Sequence, residues 1–169
     1  MADEVATTKA AAVPDQVPNA FPDQVGFLLA RAKMALQAAM DAELAPLGLT
    51  IAQYGTLAIL AAKPGLSSAE LARECCVSPQ STAALVQRLA TDGCLSRRPH
   101  PVHGRVIELR VTSKGKGLLA RASGTVDRVE RELLLCELSP EEQDHLRELL
   151  RRVLSRSRMR GVAAPGSSR

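Results

Sequence analysis

Apolar residues recur every three or four positions through most of the chain, which is the spacing of amphipathic helices. The first such stretch begins at Asp23 and ends at Pro46 and Gly48. A second, capped by Thr50, stops at residues 63–65, because proline removes a backbone donor and glycine accepts a left-handed turn. The pattern therefore predicts two helices in the first third of the chain.

Two shorter helices follow, and very little chain separates them. Ser67 and Glu70 have the spacing of a capping box at the start of the third helix. Ser78 and Pro79 supply a cap and a first-position proline for the fourth, which stops at Gly93. Only residues 76–78 lie between them, the length of turn that sets two helices near right angles. This spacing predicts a helix-turn-helix.

The apolar period changes to that of strands after the fourth helix. Residues 94–98 and 105–111 read as two strands, and the tip between them is rich in proline, histidine and glycine. A β-hairpin, or wing, is therefore predicted directly after the helix-turn-helix.

Two further helices are predicted after the wing. Thr112 caps the first of them, whose apolar stripe reaches to about Cys136, and Ser139 caps the second. Helices of this kind at both ends of a small winged core carry more apolar surface than one domain covers, which predicts a helical dimer interface. The stripe of the last helix is formed by Leu146, Leu149, Leu150, Val153 and Leu154.

The predicted fold class is mainly α with a small β-hairpin wing: a winged helix-turn-helix with N- and C-terminal dimerisation helices. The N-terminal dimerisation helix is assigned to 23–48, the DNA-binding domain to 49–112 and the C-terminal dimerisation helices to 113–158. Residues 1–22 and 159–169 have little periodicity and are predicted to be disordered tails.

Charge is concentrated in the middle of the chain. The 169 residues carry a net charge of +4, but residues 73–121 hold nine Lys and Arg against three acidic residues. This window therefore has a charge of +6 and the remainder −2. A basic middle between nearly neutral ends indicates a polyanionic partner, and the window marks where it would bind.

The remaining composition favours an intracellular protein. No apolar run approaches the roughly 18 residues of a membrane span, and the N-terminus lacks the order of a signal peptide. The four cysteines have no framework spacing, so reduced thiols are expected. We expect a cytoplasmic protein with no membrane partner.

Position within the helix-turn-helix and wing selects the candidate contacts to double-stranded DNA. In the fourth helix Leu85, Val86 and Leu89 are expected to face inward, which leaves the polar side chains to face a major groove. Taken singly, these residue types are more often ordinary solvated surface. The candidate DNA contacts are Ser78, Gln80, Ser81, Gln87, Arg88, Arg97, Arg98, His103 and Arg105.

The recognition helix and wing, residues 81–98 and 100–115, resemble the multiple-antibiotic-resistance-regulator (MarR) family. The resemblance extends over roughly residues 23–158. The resemblance implies a homodimer on a palindromic operator, with a repressor the expected role. It places Arg105 on the family's wing-tip arginine, which enters the minor groove. The chain departs from the family at His103, where the wing usually has aspartate, and at Ala84, where the recognition helix often has a polar contact.

The family architecture also implies a small-molecule effector between the first, second and fifth helices and the winged domain. The lining residues proposed from the sequence are Met34, Gln53, Tyr54 and Leu57. The two recognition helices of a dimer fit successive major grooves only when the helices are about 34 Å apart. A ligand that binds better to a dimer with another separation would therefore release DNA.

Three other classes of function compete with DNA binding. Cys75, Cys76, Cys94 and Cys136 invite a thiol-based redox sensor, although all four positions suit a small buried side chain. A protein–protein adaptor that uses the winged fold without specific DNA binding is a second alternative. A metal site or an enzyme is the third class.

The residues that a metal site or an enzyme would need are not evident. Cys94 with His100 and His103 matches no zinc spacing. Neither a nucleophile–base pair nor a phosphate-binding glycine loop is visible in the sequence. We therefore expect no metal, no cofactor and no catalysis.

Overall fold

The computed structural model describes residues 23–75, 77–99 and 106–159, the last three of them by backbone alone. Cys76, His100, His103 and Arg105 lie outside the described residues, as do both predicted tails except Met159, which is the last residue of the final helix.

Six α-helices and one two-stranded sheet make up the described fold. The elements run in the order α1 (Val25–Leu44), a short 3-10 turn (Ala45–Leu47), α2 (Ile51–Ala62), α3 (Ser68–Cys75), α4 (Pro79–Thr91), β1 (Leu95–Pro99), β2 (Ile107–Val111), α5 (Ser113–Val129), a π-helical segment (Glu130–Leu135) and α6 (Pro140–Met159).

The predicted helix caps are confirmed by their hydrogen bonds. The Thr50 hydroxyl accepts from the backbone N–H of Gln53 at 3.2 Å, and the Gln53 side chain accepts in return from the Thr50 N–H at 2.9 Å. Ser67 and Glu70 form the second capping box. Each cap satisfies donors that the first turn of a helix leaves without an intrahelical partner. The helix starts predicted at these caps are therefore correct.

The core of the winged domain lies where α2, α3 and α4 meet the hairpin. Apolar side chains from each helix are buried there against β1 and β2. Burying a side chain of this kind contributes about 1.5–3 kcal/mol to folding, so this cluster holds the helix-turn-helix at a fixed angle to the wing. The members exposed by no more than 1% are Leu57, Leu60, Leu71, Val86, Leu89 and Leu109.

The wing is an antiparallel hairpin in which Leu95 pairs with Val111 and Pro99 with Ile107. Cys94, predicted to begin the first strand, instead donates its N–H to the Leu89 carbonyl at 2.8 Å. This bond closes the C-terminal turn of α4, and for that reason β1 begins one residue later than predicted.

The predicted helix after the wing does extend to about Cys136, but its last residues are not α-helical. The sequence pattern predicts one helix to about Cys136, but the α-helix ends at Val129 and residues Glu130–Leu135 form a π-helical segment. A π-turn holds more residues than an α-turn, so it rotates the side chains that follow it. Within this segment Leu133 is 49% exposed, whereas Val126 and Val129 on the preceding α-helix are buried.

Apolar side chains on α1 and α6 remain exposed in the single chain. Among the described residues, α6 makes only slight contact with the other elements of its own chain. The single chain thus leaves uncovered the apolar surface that the sequence predicted for dimerisation. The exposed apolar residues on these two helices are Val25, Leu28, Leu29, Met34, Leu149, Val153 and Leu154.

No single helix among the described residues is long and apolar enough to cross a membrane. By length and composition, α1 with its 3-10 turn passes that test only together with α2, and the two are bent by 80° from one another.

Replacing Gly115 with alanine is expected to destabilise the fold by about 1–3 kcal/mol, because the added methyl group would overpack the contact between the start of α5 and the wing. A Cβ at Gly115 would lie 2.3 Å from the Cys94 carbonyl oxygen and 2.8 Å from a Val111 methyl. Gly117→Ala is the matched control, since a Cβ there meets nothing within 4 Å. Thermal unfolding of both variants measures the difference, and equal midpoints would contradict this account of how α5 packs on the wing.

Candidate DNA interface

The outer face of α4 carries the residues predicted to read DNA. Gln80, Ser81, Gln87 and Arg88 are all exposed, as is Ala84 between them. The helical spacing therefore places these polar side chains on the solvent side of the helix, as predicted.

The inner face of α4 differs from the prediction at two residues. Val86 and Leu89 are buried there, as predicted, but Leu85 is only half-buried, and Thr82, which the sequence pattern did not indicate, is buried. The Thr82 hydroxyl donates to the Ser78 carbonyl at 3.1 Å, so a polar residue is accommodated on the buried side.

Ser78 holds the start of α4. Its hydroxyl accepts from the Ser81 N–H at 3.1 Å and lies 2.8 Å from the Ser81 hydroxyl. The cap fixes the first turn, which in a helix-turn-helix is the part that approaches base edges. Ser78 therefore acts in the structure as a positioning residue for its neighbours in α4.

A hydrogen bond joins the fourth helix to the wing. One guanidinium nitrogen of Arg97 on β1 lies 3.0 Å from the side-chain oxygen of Gln87 on α4. Arg88, one residue further along α4, instead pairs with Asp92 at 3.0 Å. Sequence spacing contains no signal for the contact between Gln87 and Arg97, because the two residues are ten positions apart and on different elements.

The base of the wing is fixed by contacts to the end of α4. The Thr112 hydroxyl donates to the Gly93 carbonyl at 2.7 Å, and the Lys114 ammonium donates to the Asp92 carbonyl at 2.7 Å. Gly93 has φ +71°, which glycine adopts without a steric penalty. These bonds fix the point from which β1, with exposed Arg97 and Arg98, leaves the end of α4.

One acidic residue of the positively charged window, residues 73–121, is buried within the winged domain. Glu108 on β2 is 6% exposed and pairs with Arg110 at 2.8 Å. A carboxylate removed from water in this way is stabilised by its cationic partner. The positive charge of Arg110 is thus offset locally, whereas the guanidinium groups of Arg97 and Arg98 are exposed on β1.

The four candidate effector residues occupy different environments. Leu57 is fully buried in the core, and Gln53 is 8% exposed with its amide oxygen engaged by Thr50. Tyr54 is half-buried, and Met34 on α1 is 70% exposed. A cleft of about 260 Å³ lies between α1 and the end of α5, lined by Ala39, Ala42, Glu43, Arg128, Val129, Glu132 and Leu133. None of the four candidates is among the residues that line this cleft.

Tyr54 is expected to titrate above the ordinary tyrosine pKa of 10.0, because burial, then Asp127 and Glu130, disfavour the phenolate. As the only tyrosine in a chain without tryptophan, it can be followed by phenolate absorbance. Because its pKa is raised on folding, its contribution to stability is lost as the pH rises through that pKa. Asp127→Asn should lower the pKa toward the value of the unfolded chain; an identical titration in folded and denatured protein would contradict the assignment.

The described thiols are in three different environments. Cys94 is buried, with its sulfur 3.8 Å from the Asp92 carbonyl, and Cys75 is half-buried. Cys136 is exposed, so the expectation that it is a buried packing residue was wrong for the single chain. It follows the π-helical segment, whose altered rotation the helical period did not predict. Within the described ranges, no group of three or more His, Cys, Asp or Glu side chains could hold a metal ion.

A family model described as MarR family matches residues 47–106, which span α2 to the wing. The HTH-type transcriptional repressor Rv2887 of Mycobacterium tuberculosis is 34% identical over 125 residues, covering 74% of this chain and 90% of the relative. The chain belongs to the MarR family. The resemblance inferred from the recognition helix and wing is thereby confirmed, and so is the winged helix-turn-helix fold.

Two solved structures support the same assignment. The Mycobacterium tuberculosis MarR family protein Rv2887 in complex with salicylic acid has 31% identity and a TM-score of 0.63, over 83% of this chain and 99% of its own. The transcriptional repressor CouR of Rhodococcus jostii, bound to a 23-mer DNA duplex, has 27% identity and a TM-score of 0.73, over 80% and 95%. These relatives are transcriptional regulators, which are not enzymes.

Proposed function

We propose that this MarR protein is a transcriptional repressor that binds a palindromic operator in double-stranded DNA as a homodimer and is released by a small-molecule effector. The observation that carries the proposal is the exposed polar face of α4, which Gln87 joins by a hydrogen bond to Arg97 of the wing, with Arg98 exposed on the same strand. Gln80 and Ser81 lie in the first turn of that helix, where base contacts are made in this motif.

Charge supports DNA as the partner. Arg97 and Arg98 are exposed on β1, on the element that follows the recognition helix. An exposed cation such as Arg98 binds backbone phosphates, which supplies affinity, and the polar side chains of α4 supply sequence preference. By the family resemblance, Arg105 and His103 extend this surface at the wing tip. The related repressor CouR has been solved on duplex DNA.

Exposed apolar side chains support the homodimer. Leu149, Val153 and Leu154 on α6 and Leu28 and Leu29 on α1 are each 40–55% exposed in the single chain. An isologous interface between two copies would cover both helices and would present two copies of α4 to one duplex. Because that arrangement is twofold symmetric, the operator would be palindromic.

The effector would bind where α1, α2 and α5 meet, with Met34, Gln53, Tyr54 and Leu57 as the proposed neighbours. The related protein Rv2887 has been solved with salicylic acid, a small aromatic acid, and CouR with p-coumaroyl-CoA. A ligand that favours a separation of the two α4 helices other than about 34 Å would lower DNA affinity.

The experiment that tests this function measures binding to a fluorescent duplex that carries the DNA upstream of the protein's own gene. Binding is measured at several salt concentrations with an unrelated duplex as competitor. Tight binding that survives the competitor and weakens steeply with salt would support the regulator. Equal affinity for both duplexes would contradict sequence specificity, and no binding at low salt would favour the protein–protein adaptor.

A further inference from the structure

We propose that Arg97 is a positioning residue that fixes the amide of Gln87 and so sets its base preference to guanine rather than adenine. The inference rests on the proposed DNA-binding function and assigns a specificity determinant within it. It starts from the 3.0 Å hydrogen bond between the Arg97 guanidinium and the Gln87 side-chain oxygen.

The chemistry of the pair fixes which way the amide points. A guanidinium group carries only donors, so the group that faces it must be the amide oxygen of Gln87 and not the nitrogen. The amide nitrogen then lies 3.4 Å from the Thr91 hydroxyl, at the long end of the hydrogen-bond range. The second N–H of that amide therefore remains available on the exposed side of α4.

This orientation changes what Gln87 can read. Glutamine recognises adenine by accepting from the N6 amino group and donating to N7 at the same time. The Arg97 cation already donates to the amide oxygen of Gln87. The N6 amino group of adenine would therefore have to donate to the same oxygen beside a positive charge, which is disfavoured. Guanine offers two acceptors, O6 and N7, on its major-groove edge, which suits the N–H donor that the fixed amide of Gln87 presents.

Arg88 and Arg98 differ from Arg97 in their surroundings. Arg88 lies on α4 itself and is paired with Asp92 one helical turn away. Arg98 is the next residue along β1 and is also exposed. Because successive strand residues point to opposite faces, Arg98 cannot lie beside Gln87 in the same way. Arg98 is therefore the matched control for a change at Arg97.

The test selects binding sites from a randomised duplex pool with the full-length protein and four variants: Arg97→Met, Arg97→Lys, Arg98→Met and Gln87→Ala. The wild-type protein should prefer guanine at one position of each half-site, and Gln87→Ala should abolish that preference. Arg97→Met should shift the preference toward adenine by about tenfold, and Arg97→Lys, which retains a donor, should keep guanine. Arg98→Met should lower affinity for all sequences alike.

Two outcomes would overturn the proposal while leaving the DNA-binding function intact. In one, Arg97→Met lowers affinity equally for all four bases, which is the behaviour of a phosphate contact. In the other, the wild-type protein already prefers adenine at the position that depends on Gln87. If the wild-type protein selects no sequence at all, the proposed function itself fails.

A measurement without DNA checks the contact itself. The side-chain amide resonances of Gln87 in the free protein should move in Arg97→Met and stay close to their wild-type positions in Arg98→Met. Unchanged resonances in Arg97→Met would overturn the positioning role even if base preference changed.

Discussion

Replacing Ala84 with glutamate is expected to lower operator affinity by more than about a hundredfold, which corresponds to roughly 2.7 kcal/mol. Ala84 lies exposed in the middle of α4, between Gln80 and Gln87. A carboxylate there would face the phosphates and the acceptor-rich edges of the major groove, and like-charge contacts of this kind cost several kcal/mol. Glutamate is among the better helix formers, so the fold should be retained.

Ala120→Glu is the control for this variant, because it adds the same charge at an exposed alanine on α5. Affinity is measured by fluorescence anisotropy with the operator duplex, and stability by thermal unfolding. An Ala84→Glu protein that binds the operator as tightly as Ala120→Glu would exclude this face of α4 from the DNA interface.

The winged domain was predictable from the sequence because its signals are local. Each cap depends on residues three positions apart, as in Thr50 with Gln53 and Ser67 with Glu70. The turn before α4 is short enough for its length alone to define the motif. Where a structural feature is specified by neighbours along the chain, one sequence is sufficient to find it.

Features that depend on distant contacts or on changes of helical period were not predicted. The π-helical segment Glu130–Leu135 continues an apolar pattern that fits an α-helix equally well, and so its start at Glu130 had no sequence signal. Thr82 is buried because its hydroxyl bonds to the Ser78 carbonyl, whereas composition alone places threonine outside.

In the candidate DNA site, too, the features set by helical spacing were predictable and the contact between two elements was not. Helical spacing was enough to place Gln80, Ser81, Gln87 and Arg88 on one exposed face of α4. The hydrogen bond between Gln87 and Arg97 depends on the angle between α4 and the wing, which contacts from the start of α5 set. The members of the surface could therefore be predicted from periodicity, but the pairing within it required the folded chain.

Val153→Glu is expected to convert the protein to a monomer and to lower operator affinity by more than about a hundredfold. Val153 is 55% exposed in the single chain and lies on the apolar stripe of α6. In the proposed dimer the new carboxylate would be buried without a partner, which costs about 3–5 kcal/mol. Loss of the dimer also separates the two recognition helices, so the second half-site no longer adds to the affinity.

Ser155→Glu provides the matched control for this prediction. Ser155 is exposed on the same helix and lies two residues further on, about 200° around the helix axis from Val153. Sedimentation should therefore give a monomer for Val153→Glu and a dimer for Ser155→Glu, with similar helix content in both. If Val153→Glu remained a dimer of wild-type affinity, the interface would have to lie elsewhere, and the exposed stripe of α6 would need another explanation. Among the described residues, α6 makes only slight contact with the rest of its own chain. Dissociation of the dimer should therefore leave the winged domain folded.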